Sequence, residues 1–203
     1  ETFLDLLVRV GAVPQFFNVT SASHRWRVDQ PFFAVPAGAG GLRSCIEAAA
    51  RLRVDLYRRI DRITGAKAVF ITSGVPGSVG SGACALWQEL APRLTGRRTF
   101  RVWPFEGSLS ALVRSTPVVV GEIYPRAAYA TALLDSAPAS RPPLIVGKTD
   151  RGIREAALAV LRAARWVREH DVTIAHLAEA AANEDDFDAC LTAAALLRCV
   201  LDG

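Results

Sequence analysis

"PVVVGEIYP", residues 117–125, decides the fold class. Its consecutive valines suit a pleated, half-buried strand, and it is the strongest strand signal in the chain. A short helix is predicted immediately after it, over 126–135. On the N-terminal side "RTFRVWPF" (98–105) and "KAVFITS" (67–73) are further strand candidates, and the helix "ACALWQELAPRL" between them ends near Pro92. On the C-terminal side "PPLIVGKTD" leads into a helix over about 150–169, with Ile153, Ala157, Val160, Ala164 and Val167 at core spacing. A closing helix runs to residue 202. Strands alternating with helices predict an α/β fold, its sheet covered on both faces and in part parallel.

The N-terminal portion is less regular. "ETFLDLLVRV" has a helical stripe of Phe3, Leu6 or Leu7, and Val10. The aromatic, proline- and glycine-rich residues 13–41 are too hydrophobic for a disordered linker and are expected as a long packed loop. Residues 42–63 return to a helical period, with Leu42, Ile46, Ala49, Leu56, Ile60 and Ile63 facing inward. A break near Arg53 and a stop at Gly65 are expected there.

The chain has 203 residues, about one domain's worth, and a mild net charge of +4 that permits a nucleic-acid partner without requiring one. Only Lys67 and Lys148 are lysines. No signal peptide is recognisable, and no apolar run approaches the roughly 20 residues of a membrane span. Cys45, Cys84, Cys190 and Cys199 have no metal-ligand spacing and are expected as reduced, mostly buried thiols of a cytoplasmic protein. His24, His170 and His176 have no partner pattern for a nucleophilic triad.

The chemistry concentrates in "NEDDFDA", residues 183–189. With Asn183 as N-cap, acids in the first turn meet the helix dipole. Asp188 lies a full turn inside, beyond what capping needs. Asp185 and Asp188 at i,i+3, and Glu184 and Asp188 at i,i+4, put three carboxylates on one side, where a divalent cation would relieve their repulsion. Glu122, between apolar neighbours in the strand at 117–125, must reach solvent, a cation or a basic group. Together these carboxylates are candidate ligands for Mg²⁺ or Mn²⁺. "SGVPGSVGSG" (73–82) is a weaker candidate phosphate loop, with Gly77 and Gly80 letting backbone N–H groups approach an anion. Lys148 and Arg154, flanking the start of the helix at about 150, are candidate phosphate contacts.

In order along the chain, "LYRRIDRITGAKAVF", "GVPGSVGSG", "RVWPFEG", "VVVGEIYPRAAYA", "GKTDRGIRE" and "NEDDFDACLTAAALL" resemble the family called domain of unknown function 429, a predicted RNase H-like nuclease group. The closing acidic segment also resembles the last helix of RuvC-type junction resolvases, where two aspartates three apart bind metal. The resemblance implies an RNase H-like mixed sheet flanked by helices and two-metal hydrolysis of nucleic acid. Glu122, Asp185 and Asp188 would then be the carboxylate set, with Lys148 and Arg154 on the phosphate side. In our reading Glu184 or Asp186 would support the metal-holding carboxylates. Proteins of this type begin with a strand bearing a metal-binding aspartate, whereas this sequence starts at or after the first helix. A single domain over 1–203 lacking its N-terminal strands is therefore expected.

Three functions follow from these readings. The first is a Mg²⁺- or Mn²⁺-dependent nuclease. The second is a nucleotide- or phosphometabolite-binding enzyme using the glycine loop. The third is a non-catalytic interaction domain whose acidic turn is only a cap. No membrane partner is expected, and no residue pattern specifies an oligomer.

Overall fold

The computed structural model describes residues 3–21, 27–35, 41–73, 78–95 and 98–202. Helix accounts for 56% of it and the strands form two small parallel sheets, a mixed architecture compatible with the α/β class. The chain divides into two compact units, Glu1–Thr99 and Phe100–Gly203. Among the described residues no helix is long and apolar enough to cross a membrane.

The first unit contains α1 (Phe3–Gly11), β1 (Phe33–Ala34), α2 (Gly41–Arg51), α3 (Arg59–Thr64), β2 (Ile71–Ser73) and α4 (Gly80–Leu90). β1 pairs in parallel with β2, Phe33 opposite Ile71. The expected loop over 13–41 therefore contains a strand, too short to show any period in the sequence. The expected helix over 42–63 is broken. Arg53 takes a left-handed φ of 56° between α2 and α3. Ile46, Ile60 and Ile63 are consequently exposed, while Cys45, Ala48 and Ala49 are buried. α3 starts on a cap in which the buried Asp61 carboxylate accepts the Arg58 backbone N–H at 2.9 Å. It stops at Gly65, whose φ of 67° favours glycine. Phe32 is fully buried among Phe16, Phe70 and Trp87, with ring centroids 5.4–6.0 Å away.

The second unit contains β3 (Phe100–Trp103), α5 (Leu109–Ser115), β4 (Val118–Gly121), α6 (Pro125–Leu133), α7 (Arg151–Ala163), α8 (Arg165–Glu169), α9 (Leu177–Ala180) and α10 (Glu184–Leu201). β3 and β4 run parallel, Phe100 opposite Val118 and Trp103 opposite Gly121. Parallel neighbours need a crossover, and α5 supplies it where the sequence reading passes straight from strand to strand. α6 packs along α10. Ala128, Tyr129 and Ala132 there share a core with Phe187, Leu191 and Ala195, small residues letting the two helices approach.

The expected helix over 150–169 divides at Ala164, whose ψ of 144° ends α7. The buried face of α7 is Arg154, Ala157, Leu158 and Leu161, while Ile153 and Val160 are exposed. The face is turned from the predicted one because a charged residue, Arg154, belongs to it.

Candidate functional site

Asn183 caps α10 as its sequence predicts. Its Oδ1 accepts the Asp186 N–H at 2.9 Å, and its amide donates to the Asp186 carboxylate at 2.6 Å. Asp186 is thereby tied into the cap. Glu184 and Asp188 remain one above the other on the next face, as residues four apart on a helix must.

Lys148 comes to this face from the turn before α7. Its backbone N–H donates to the Val146 carbonyl at 2.8 Å, and Asp150 then caps the helix by accepting the Ile153 N–H at 3.0 Å. The Lys148 ammonium donates to Asp188 Oδ2 and lies 3.9 Å from Glu184 Oε2. On the other side of the carboxylate, the Tyr129 hydroxyl of α6 donates to Asp188 Oδ1. Burial holds the Tyr129 phenol well above its ordinary pKa, reinforced by the hydrogen bond to Asp188 and by the negative charges of Asp188 and Glu184. Tyr129 therefore keeps its proton and acts as a donor. The centre is half open: side-chain exposure is 31% for Lys148, 24% for Asp188 and 45% for Glu184.

Arg154 holds this arrangement from beneath. The residue is 5% exposed and directed inward, where the sequence reading set it facing phosphate. Its Nε donates to the Ala181 carbonyl at 2.9 Å, Nη1 to the Lys148 carbonyl at 2.6 Å and Nη2 to the Ala182 carbonyl at 3.2 Å. A planar fork of donors suits that task. It ties the backbone that carries Lys148 to the turn from which α10 starts. Periodicity treats an arginine as surface, so nothing in the pattern distinguishes it from its exposed neighbours.

The other predicted residues are placed differently. Asp185 is exposed and, with Asn183, Glu184 and Arg154, lines an open depression of about 460 Å³. Lys148 pairs with Glu184 and Asp188 and not with Asp185. Glu122 is exposed at the first residue past β4, leading into α6, so the strand ends before the acid has to be buried. Gly80 opens α4 so close to the Ile71 and Val69 carbonyls that a Cβ would overlap them, and packing alone accounts for a glycine there. The Ser78 and Ser81 hydroxyls donate to the Ile71 and Thr72 carbonyls of β2. Gly77 and His24 lie outside the described residues. His170 sits 3.8 Å from Asp202 and His176 3.4 Å from Glu179. The four cysteines are free.

Among the described residues, no three His, Cys, Asp or Glu side chains are gathered as a set for one metal ion. What is gathered is two carboxylates, one ammonium and one phenol. Two carboxylates facing one cationic position suit a hard divalent ion such as Mg²⁺, which commonly takes one or two carboxylates and keeps several waters. Tyr129 is the member that sequence reasoning missed, since it stands within the apolar stretch "AAYATALL" and its partner lies 59 residues away. Compared with protein-family models, with curated proteins and with solved structures, the chain matches none.

Proposed function

We propose that the chain is an RNase H-like, divalent-metal-dependent phosphodiesterase acting on nucleic acid. Asp188 and Glu184 hold the cation; Glu122 and Asp185, the other carboxylates expected from the sequence, are not gathered with them as a third ligand among the described residues. The observation that carries this reading is the convergence of Asp188 and Glu184 on a single cationic position, with Tyr129 fixing the Asp188 oxygen opposite. Mg²⁺ or Mn²⁺ bound there would supply Lewis-acid activation of water and neutralise charge on the phosphodiester. Tyr129 orients the Asp188 carboxylate. Arg154 fixes the two backbone segments that bring Lys148 to it. Lys148 supplies positive charge at the side where an anionic substrate would approach. The glycine loop has no comparable support, since Ser78 and Ser81 are directed at β2 and Gly80 is explained by packing.

The test is cleavage of single-stranded DNA and RNA oligonucleotides with Mn²⁺, Mg²⁺ or chelator. The wild-type chain is expected to cleave one of them only with metal, and Asp188→Asn to lose on the order of 100-fold or more, as when one preorganised charge-stabilising group is removed. Cleavage that survives chelation, or an Asp188→Asn variant as active as wild type, contradicts the proposal.

A further inference from the structure

We infer that the first unit carries a binding site for a single aliphatic carboxylate, its chain in an apolar concavity and its head group on Arg27. The concavity measures about 590 Å³. Small-molecule sites commonly fall between roughly 300 and 1,000 Å³. Val10 of α1 and Phe16 line it and are buried, and Phe70 is half-buried there, so it opens directly off the aromatic core around Phe32. Val28 and Leu52 also line it, yet they are 60% and 52% exposed. A hydrocarbon chain in the hollow would take both from water. Leu52 and Val54 flank Arg53, whose left-handed φ of 56° is unfavourable for a residue with a Cβ. The Val54 N–H donates to the Ala49 carbonyl at 2.9 Å and so fixes this turn at the end of α2.

The charged side chains of the lining are Arg9, Arg27 and Asp29, two positive to one negative. Asp29 holds the Arg27 guanidinium side-on, accepting from Nε at 2.9 Å and from Nη2 at 3.1 Å, and accepts from the Gln15 amide at 3.4 Å. The Gln30 N–H closes the turn by donating to the Arg27 carbonyl at 3.1 Å. The guanidinium is therefore positioned at the edge of the hollow with its Nη1 donors unused among the described residues. A carboxylate suits those donors, and an ammonium does not. This site lies in the other unit from Asp188, so it stands apart from the phosphodiesterase reading.

Calorimetry on the whole chain tests it, with dodecanoate kept below its micelle concentration. Wild type is expected to bind one dodecanoate, with the negative heat-capacity change of apolar burial. Leu52→Glu is expected to weaken binding at least about tenfold, because it sets a second carboxylate in the lining. Leu86→Glu, on α4, equally exposed and outside the concavity, should bind as wild type does. Arg27→Gln should weaken dodecanoate several-fold and leave dodecanol unchanged. The inference is overturned if wild type binds no dodecanoate, if Leu52→Glu binds it equally well, or if dodecyltrimethylammonium binds as tightly as dodecanoate.

Discussion

In the unit Glu1–Thr99 most arginines with acidic partners lie at the surface: Arg27 meets Asp29, Arg43 meets Glu47, Arg62 meets Asp55 and Arg93 meets Glu89. In the unit Phe100–Gly203, Arg154 and Arg198 are buried and directed at backbone carbonyls. Arg198 donates to Thr131 and Leu134 at 2.8 and 2.7 Å, tying the end of α6 to α10. The first unit is instead held by rings around Phe32, and its concavity of about 590 Å³ is lined mainly by apolar groups, among them Leu6, Val10, Phe16 and Phe70. Surface ion pairs contribute little, whereas a buried charge is tolerated only where its partners are fixed. A unit that fixes buried charges for its own folding can also hold a carboxylate between an ammonium and a phenol. The first unit also fixes one buried charge, Asp61 against Arg58, but that carboxylate is taken up by the cap of α3, whereas Asp188 is partly open; the candidate chemistry therefore lies in the second unit.

The contrast can be broken at several points. Phe32→Ala should cost about 4 kcal/mol in urea unfolding, the range for removing a fully buried ring. A loss below about 1 kcal/mol would mean the rings do not hold the first unit together. Arg154→Met should cost about 3 kcal/mol, because the carbonyls of Lys148, Ala181 and Ala182 lose their donor. It should also raise acetylation of Lys148 by acetic anhydride, read by peptide mass spectrometry. If neither changes, Arg154 is not the tie between the lysine turn and α10.

Tyr129→Phe should cost about 1 kcal/mol at neutral pH, the ordinary worth of one hydrogen bond. Because the folded state raises the phenol's pKa, its contribution is whole below about pH 10, the unfolded tyrosine value, and is lost as pH climbs further. Urea midpoints of wild type and variant should therefore converge only in alkali; convergence already near neutral pH would contradict the assignment. Smallest of all, Arg62→Gln should leave the urea midpoint unchanged, and a clear loss would show that the surface pairs of the first unit do carry stability.

What the sequence made legible was local. The Asn183 cap, the stop at Gly65 and the break near Arg53 depend on residues a few positions apart, where helix geometry alone sets the spacing. Asp188 stood out for the same reason, as one acid more than a cap requires. The remainder depends on distant partners. Lys148 and Tyr129 reach Asp188 across 40 and 59 residues, and no local pattern encodes that. β1 is too short to have a period. The face of α7 is not legible in the same way, because hydrophobic spacing places Ile153 inside and Arg154 outside, whereas three carbonyl acceptors make the inward arginine favourable.

The central claim is that Asp188 and Glu184 form a cation centre. Its most direct test is a calorimetric titration of Mn²⁺ into the whole wild-type chain and into Asp188→Asn, with circular dichroism confirming that both are folded. Wild type should bind Mn²⁺, and the variant at least about tenfold more weakly, a difference of about 1.4 kcal/mol. Equal affinity in the two proteins would contradict it.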